Sequence, residues 1–155
     1  MEYEVPKEWI NPKPVLKIQS KRFGPLSLIK EQHRVDPTTF RLKIVDSKGT
    51  EHSKVSYWNH PPEKGLIYVY HVDTSEESKR KGMSRAILGL LSAVEGKNLF
   101  LIPNKFAEDR DIFKKVGFHK GKVDWDGVVD CLRMERANSS KQQTIKRIID
   151  ELDRK

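Results

Sequence analysis

Residues 66–72, Leu-Ile-Tyr-Val-Tyr-His-Val, are β-prone and apolar on both faces. A strand of that kind needs cover on both sides, so it belongs in the middle of a sheet and not at its edge. A polar loop follows, Asp-Thr-Ser-Glu-Glu-Ser-Lys-Arg-Lys-Gly, and then residues 83–94, where Ile87, Leu90, Leu91 and Val94 recur at helical spacing. Glu95-Gly96 stops that helix, and residues 99–102, Leu-Phe-Leu-Ile, form a second buried strand ended by Pro103. Strand, loop, helix and strand make the centre of the fold.

The flanking segments are read around that unit. Residues 38–58 form a β-hairpin: Phe40, Leu42 and Ile44 alternate with Arg41, Lys43 and Val45, and Asp46-Ser47-Lys48-Gly49 supplies the turn. Residues 109–116 read as a helix with Ile112, Phe113 and Val116 inward and Gly117 as its C-cap. Residues 123–134 make a last hairpin around Asp124-Trp125-Asp126-Gly127. Towards the N-terminus, residues 1–14 carry three prolines and read as an extended arm, with a short first strand over residues 15–18. Gly24-Pro25 then opens a helix over residues 26–35 with Leu26, Ile29 and Val35 on one side, a strand being the competing assignment. Residues 137–155 are a polar linker and an amphipathic helix whose stripe, Ile145, Ile148, Ile149 and Leu152, should dock on its own domain or on a second subunit as a homodimer. The expected organisation is one mixed α+β domain over residues 1–136, with the C-terminal helix appended.

With 155 residues the chain can build one core but hardly two. No apolar run approaches the roughly 18 to 20 residues of a membrane span, and the N-terminal segment has no apolar signal core, so a cytoplasmic protein with no membrane partner is expected. The single cysteine, Cys131, excludes an internal disulfide and a cysteine-based zinc site, and no metal is expected. The net charge of +8 favours a polyanion: nucleic acid, an acidic membrane surface or a phosphorylated cofactor. A solvated lysine-rich surface explains the same charge, and no base-reading motif supports nucleic acid.

The position of the charge is more informative than its sum. Lys79, Arg80, Lys81 and Arg85 crowd around the start of the central helix, with Gly82 and the small Ser84 between them. Helix starts carry unpaired N–H groups and partial positive charge, so cations there are unfavourable by a few tenths of a kcal/mol each. A bound phosphate or pyrophosphate would reverse that cost. The loop is neither GxxxxGK(S/T) nor GxGxxG.

Lys79-Arg80-Lys81-Gly82-Met83-Ser84, between a buried strand and a helix, resembles the R/Q-x-x-G-x-G/A acetyl-CoA motif of the GNAT superfamily of N-acyltransferases. Ile112-Phe113-Lys114-Lys115-Val116-Gly117-Phe118 is similar to the family's F-Y-x-K-x-G-F segment, and Cys131-Leu132-Arg133-Met134-Glu135 to its last strand. The hairpin before residue 66 matches its second and third strands, so the resemblance covers residues 38–136. It implies a mixed, mostly antiparallel sheet splayed between two parallel strands and flanked by helices. Acetyl-CoA would lie in that splay, between residues 68–72 and 99–102. Backbone groups near His71, Val72 and Asp73 would pair with the pantetheine arm. The N–H groups of Arg80, Lys81, Gly82, Met83 and Ser84 would hold the pyrophosphate, with Lys79 and Arg85 beside it. Asn104 would touch the pantetheine and Phe113 would lie near the sulfur.

The resemblance further implies transfer of the acetyl group to a primary amine, on a small molecule or a protein, by direct attack on the thioester. A base must take the amine proton, and the candidates on the central strands are Glu51, His52, Tyr70 and His71. His71 comes first, because it lies at the strand end where the sheet opens and an imidazole titrates near neutral pH. The chain departs from the family pattern at several places. Ser84 replaces glycine or alanine, and the loop before Gly82 is longer than usual. The region before the hairpin is short for the two helices that commonly shape the acceptor site. Phe113 stands where many members have a tyrosine that protonates the leaving thiolate. Either another group or water serves there, or the chain is a catalytically weak or inactive CoA-binding module; a nucleic-acid-associated protein is the remaining alternative.

Overall fold

A computed structural model describes residues 8–59, 65–79, 81–102 and 110–154. Eight strands form one sheet: β1 (Trp9–Ser20), β2 (Gly24–His33), β3 (Thr39–Asp46), β4 (Glu51–Trp58), β5 (Leu66–Thr74), β6 (Asn98–Leu101), β7 (His119–Asp124) and β8 (Val128–Met134). Their order is β1-β2-β3-β4-β5-β6-β8-β7, and every neighbouring pair is antiparallel except β5 and β6. The helices are α1 (Glu76–Lys79), α2 (Met83–Glu95), α3 (Arg110–Lys115) and α4 (Lys141–Arg154). None of them is long and apolar enough to cross a membrane.

The two apolar faces of β5 serve two different clusters. Ile67 and Val69 join Leu28, Leu42, Val55 and Tyr57 of the neighbouring strands and Met83, Ile87, Leu90 and Leu91 of α2 in the main core. Leu66 and Tyr68 join Phe100, Val123, Cys131 and Trp125 in a smaller cluster on the opposite face. Among the described residues, helices α2, α3 and α4 contribute to the first cluster and not to the second. The second face is held by aromatic packing instead, with Tyr68 and Trp58 each 5.5 Å from Trp125, ring centre to ring centre.

Residues 26–35, expected as a helix, are strand through His33. Leu26 and Leu28 are buried while Ser27 and Ile29 turn to the other face, which is period two. Strands β1 and β3 pair with β2 on both sides, and this tertiary pairing outweighs the helical spacing of Leu26 and Ile29. Glu31, which a strand places opposite β3, is neutralised there by Arg41 at 2.8 Å and Lys43 at 3.3 Å. Val35, expected on the apolar side, lies beyond the strand and is exposed. The expected arm is also partly strand, since β1 begins at Trp9 and not at Val15. Its prolines are tolerated because β1 is an edge, and its register shifts between Ile10 and Lys13 and between Pro14 and Leu16. The polar loop after β5 contains the short helix α1.

The stripe of α4 is covered by its own chain. Ile148 and Leu152 are buried in the main core, with Ile145 and Ile149 packed against it. The approach to α2 is close because position 89 is glycine: a Cβ there would sit 2.9 Å from Ile148 Cδ1. At the far end, Asp153 accepts hydrogen bonds from the Ser20 hydroxyl and from the backbone N–H groups of Lys21 and Arg22. Burial opposes that carboxylate's charge, but the hydrogen bonds prevail and hold its pKa below the usual aspartate value. Ile148→Ala should therefore cost about 2–4 kcal/mol in denaturant unfolding, and removing residues 138–155 should lower the Tm. An unchanged midpoint in both variants would contradict the docking.

Candidate active site

Strands β5 and β6 pair at only three positions, Leu66 with Asn98, Ile67 with Leu99 and Tyr68 with Phe100. Beyond Tyr68, β5 continues along β4 to Thr74, while β6 ends at Leu101, paired with Leu132 of β8. Among the described residues, the edge of β5 that faced β6 therefore has no strand partner over residues 69–74. At the mouth of this splay the β4–β5 register slips: Ser56 opposes His71 and Tyr57 opposes Val69, leaving Tyr70 as a bulge.

The bulge sets which way the next side chains point. Val72 packs on the main core and Thr74 is buried, whereas Tyr70 and His71 are exposed. The Tyr70 ring stacks on Tyr68 at 6.3 Å. Partial burial raises the Tyr70 pKa above the usual tyrosine value and outweighs its hydrogen bond with Ser56, which lowers it. His71 makes no hydrogen bond or ion pair among the described residues. Asp73 faces Lys54 at 3.8 Å.

The other side of the splay leads to the start of α2. Gly82 is its N-cap, with φ 79° and ψ 13°, a left-handed conformation that favours glycine. No side chain caps the helix, and no acidic residue lies in its first turn. Among the described residues its leading N–H groups have no acceptor, so they suit an outside one. A chain of hydroxyls anchors this corner: Ser53 Oγ lies 2.8 Å from Thr74 Oγ1, which lies 2.6 Å from Ser84 Oγ. Ser84 thus ties the first turn of α2 to the end of β5, a bond that glycine or alanine could not make.

A second anchor holds the loop from below. The β3–β4 register slips at His52, and its ring bridges Ser78 Oγ of α1 at 2.9 Å and Asp46 Oδ2 at 3.0 Å. A backbone hydrogen bond from Thr50, ahead of the contact with His52, keeps the Asp46 carboxyl below its usual range. The Phe23 ring meets His52 at 5.4 Å, and Lys81 Nζ lies 5.8 Å above Phe23.

The expected site residues are distributed as follows. Tyr70, His71, Val72 and Asp73 line the free edge of β5, and Lys81, Gly82, Met83, Ser84 and Arg85 open α2. Glu51 is elsewhere: Lys43 Nζ at 2.9 Å holds its carboxyl below the usual range, and about 17 Å of strand separates it from Ser56. His52 is committed to the loop anchor. Phe113 packs edge-on to Phe118 at 6.0 Å and against the main core. Arg80, Asn104 and the Lys79 side chain lie outside the described residues. Among the described residues no cluster of histidine, cysteine or carboxylates could hold a metal ion.

No protein-family model matches this sequence, and no curated protein is similar to it at the sequence level. Solved structures are similar in fold. Tetrahymena GCN5 superposes with a TM-score of 0.51 at 14% identity, over 68% of this chain and 73% of that one. A cAMP-binding acyltransferase from Mycobacterium smegmatis gives 0.52 at 9% identity over 92% of this chain, which spans 55% of that longer protein. A CoA-dependent acyl-homoserine lactone synthase, BjaI, solved with SAM and isopentyl-CoA, gives 0.51 at 9% identity over 76% and 65% of the two chains. The chain has the GNAT, or acyl-CoA N-acyltransferase, fold, as the ordered motifs led one to expect.

Thr74 is the link between the two hydroxyls of the upper anchor. Thr74→Val leaves both unpaired at that point and should cost about 1–3 kcal/mol in denaturant unfolding. A cost within about 0.5 kcal/mol, the size of an ordinary surface change, would show that the hydroxyl chain does not hold the corner together.

Proposed function

We propose that this chain is an acyl-CoA-dependent N-acyltransferase that moves an acetyl group from acetyl-CoA to a primary amine. One observation carries the reading: the unpaired edge of β5 lies beside the left-handed Gly82 and the uncapped start of α2. The edge suits an amide-bearing chain such as pantetheine, which can add to it as a short strand through the backbone of His71, Val72 and Asp73. The N–H groups of Met83, Ser84 and Arg85, with the Lys81 ammonium, suit a pyrophosphate. The bound donor would supply an activated thioester.

The remaining work falls to residues of this chain. A backbone N–H at the Tyr70 bulge would polarise the thioester carbonyl. His71, whose exposed side chain has no hydrogen-bond partner among the described residues, accepts the amine proton directly or through water. Tyr70, held neutral, is the proton donor for the departing thiolate, a role Phe113 cannot fill. The acceptor, a small amine or a protein side chain, approaches from the second sheet face, to which the described residues of the helices contribute nothing. A second reading, a CoA-binding module without turnover, is favoured by Phe113 alone.

Thiol release from acetyl-CoA with a panel of amines separates the two readings: turnover with at least one amine is expected, and binding without turnover would select the second. Gly82→Asp should weaken acetyl-CoA binding by at least about 2 kcal/mol, because it brings a side chain and a negative charge to the anion-binding turn. Unchanged affinity in the folded variant would remove the site from this place. Tyr70→Phe should lower kcat by about 100-fold with little change in donor affinity. An unaltered kcat would take the proton-donor role away from Tyr70.

A further inference from the structure

A groove of about 380 Å³ runs along α2 from the anion-binding turn. One side is Gly82, Arg85 and Ala86, and Gly117 after α3 also lines the groove. The remaining wall is α4, which presents Arg147 and Glu151, with Glu135 following β8. The C-terminal helix is thus not a remote appendage, since the contact of Ile148 with Gly89 brings it to the edge of the donor site.

The charges in the groove are arranged unequally. Arg85 Nε lies 4.0 Å from Glu151 Oε2. Arg147 is exposed and makes no ion pair or hydrogen bond among the described residues. A guanidinium that has no partner among the described residues and lines a groove running from an uncapped helix start is suited to a phosphate, which it can grip through two parallel N–H donors. A bare anion would gain nothing from the carboxylates Glu135 and Glu151, but a nucleoside would, because ribose hydroxyls and a purine amino group are donors. From Gly82 to Gly89 the helix rises about 10 Å, enough to pass from a pyrophosphate across a ribose.

Resting on the acyl-CoA reading above, we propose that Arg147 recognises the 3′-phosphate of the CoA nucleotide, which makes α4 part of the donor site. The nucleotide half of CoA lies in the groove between α2 and α4, with its sugar near the carboxylates and its 3′-phosphate on Arg147. The chain therefore distinguishes CoA from its dephosphorylated form through a residue outside the strand–loop–helix unit.

Calorimetric titration of the full chain with CoA and with 3′-dephospho-CoA, at one ionic strength, tests this. The wild type should bind CoA at least about tenfold more tightly than 3′-dephospho-CoA. Arg147→Gln should abolish that preference while leaving the ligand-free Tm unchanged, and Arg147→Lys should restore part of it. Lys146→Gln removes the same charge one position away, outside the groove lining, and should keep the full preference. Equal affinity of the wild type for both compounds, or a preference that survives Arg147→Gln, overturns the proposal while leaving the acyl-CoA reading intact. A wild type that binds neither compound overturns both.

Discussion

Parallel pairing between β5 and β6 ends after three residue pairs, and the candidate site exists because of that ending. Leu101 of β6 is taken by β8, while β5 follows β4 for six further residues past a bulge at Tyr70. A row of backbone donors and acceptors inside a protein needs partners, and over residues 69–74 the described strands provide them on one side only. The unfilled side is a template for something that carries amides of its own. The same divergence places the end of β5 against the first turn of α2, so a ligand lying along the strand arrives at the helix start.

That corner gathers positive charge and must be held in place without a ligand. Lys81 and Arg85 lie beside a helix start that no carboxylate offsets within its first turn. Two polar anchors hold the backbone there, the hydroxyl chain Ser53–Thr74–Ser84 above and the bridge Asp46–His52–Ser78 below. Each links the loop to the β3–β4 hairpin, so the hairpin shapes the candidate site although none of its side chains need touch a ligand there. Such preorganisation lowers the ordering cost of binding.

Much of this is legible in the residues. The two-faced apolar run of β5, the glycine before α2 and the stripe of α4 each have their element in the structure, although the stripe alone leaves open whether it docks on its own domain or on a second subunit. Residues 26–33 have two readings: Leu26 and Ile29 fit a helix and Leu26 and Leu28 fit a strand, and only the presence of β1 and β3 decides. The bulges at Tyr70 and His52 are properties of pairing between strands, and no composition or period encodes them. For the same reason His52 reads as a candidate base, whereas its partners make it a loop anchor. The amphipathic stripe announces that α4 must dock; Gly89 is the residue that indicates where, and its meaning depends on a helix packed against it.

The central claim is that the free edge of β5 and the start of α2 together receive an acyl-CoA donor. Hydrogen–deuterium exchange of the full chain, with and without saturating acetyl-CoA, measures both places at once. The account predicts slowed exchange at the amides of residues 71–74 and 83–85, with the β1–β2 hairpin unchanged. Protection confined to other surfaces, with residues 71–74 and 83–85 exchanging as fast as in the free protein, would contradict it.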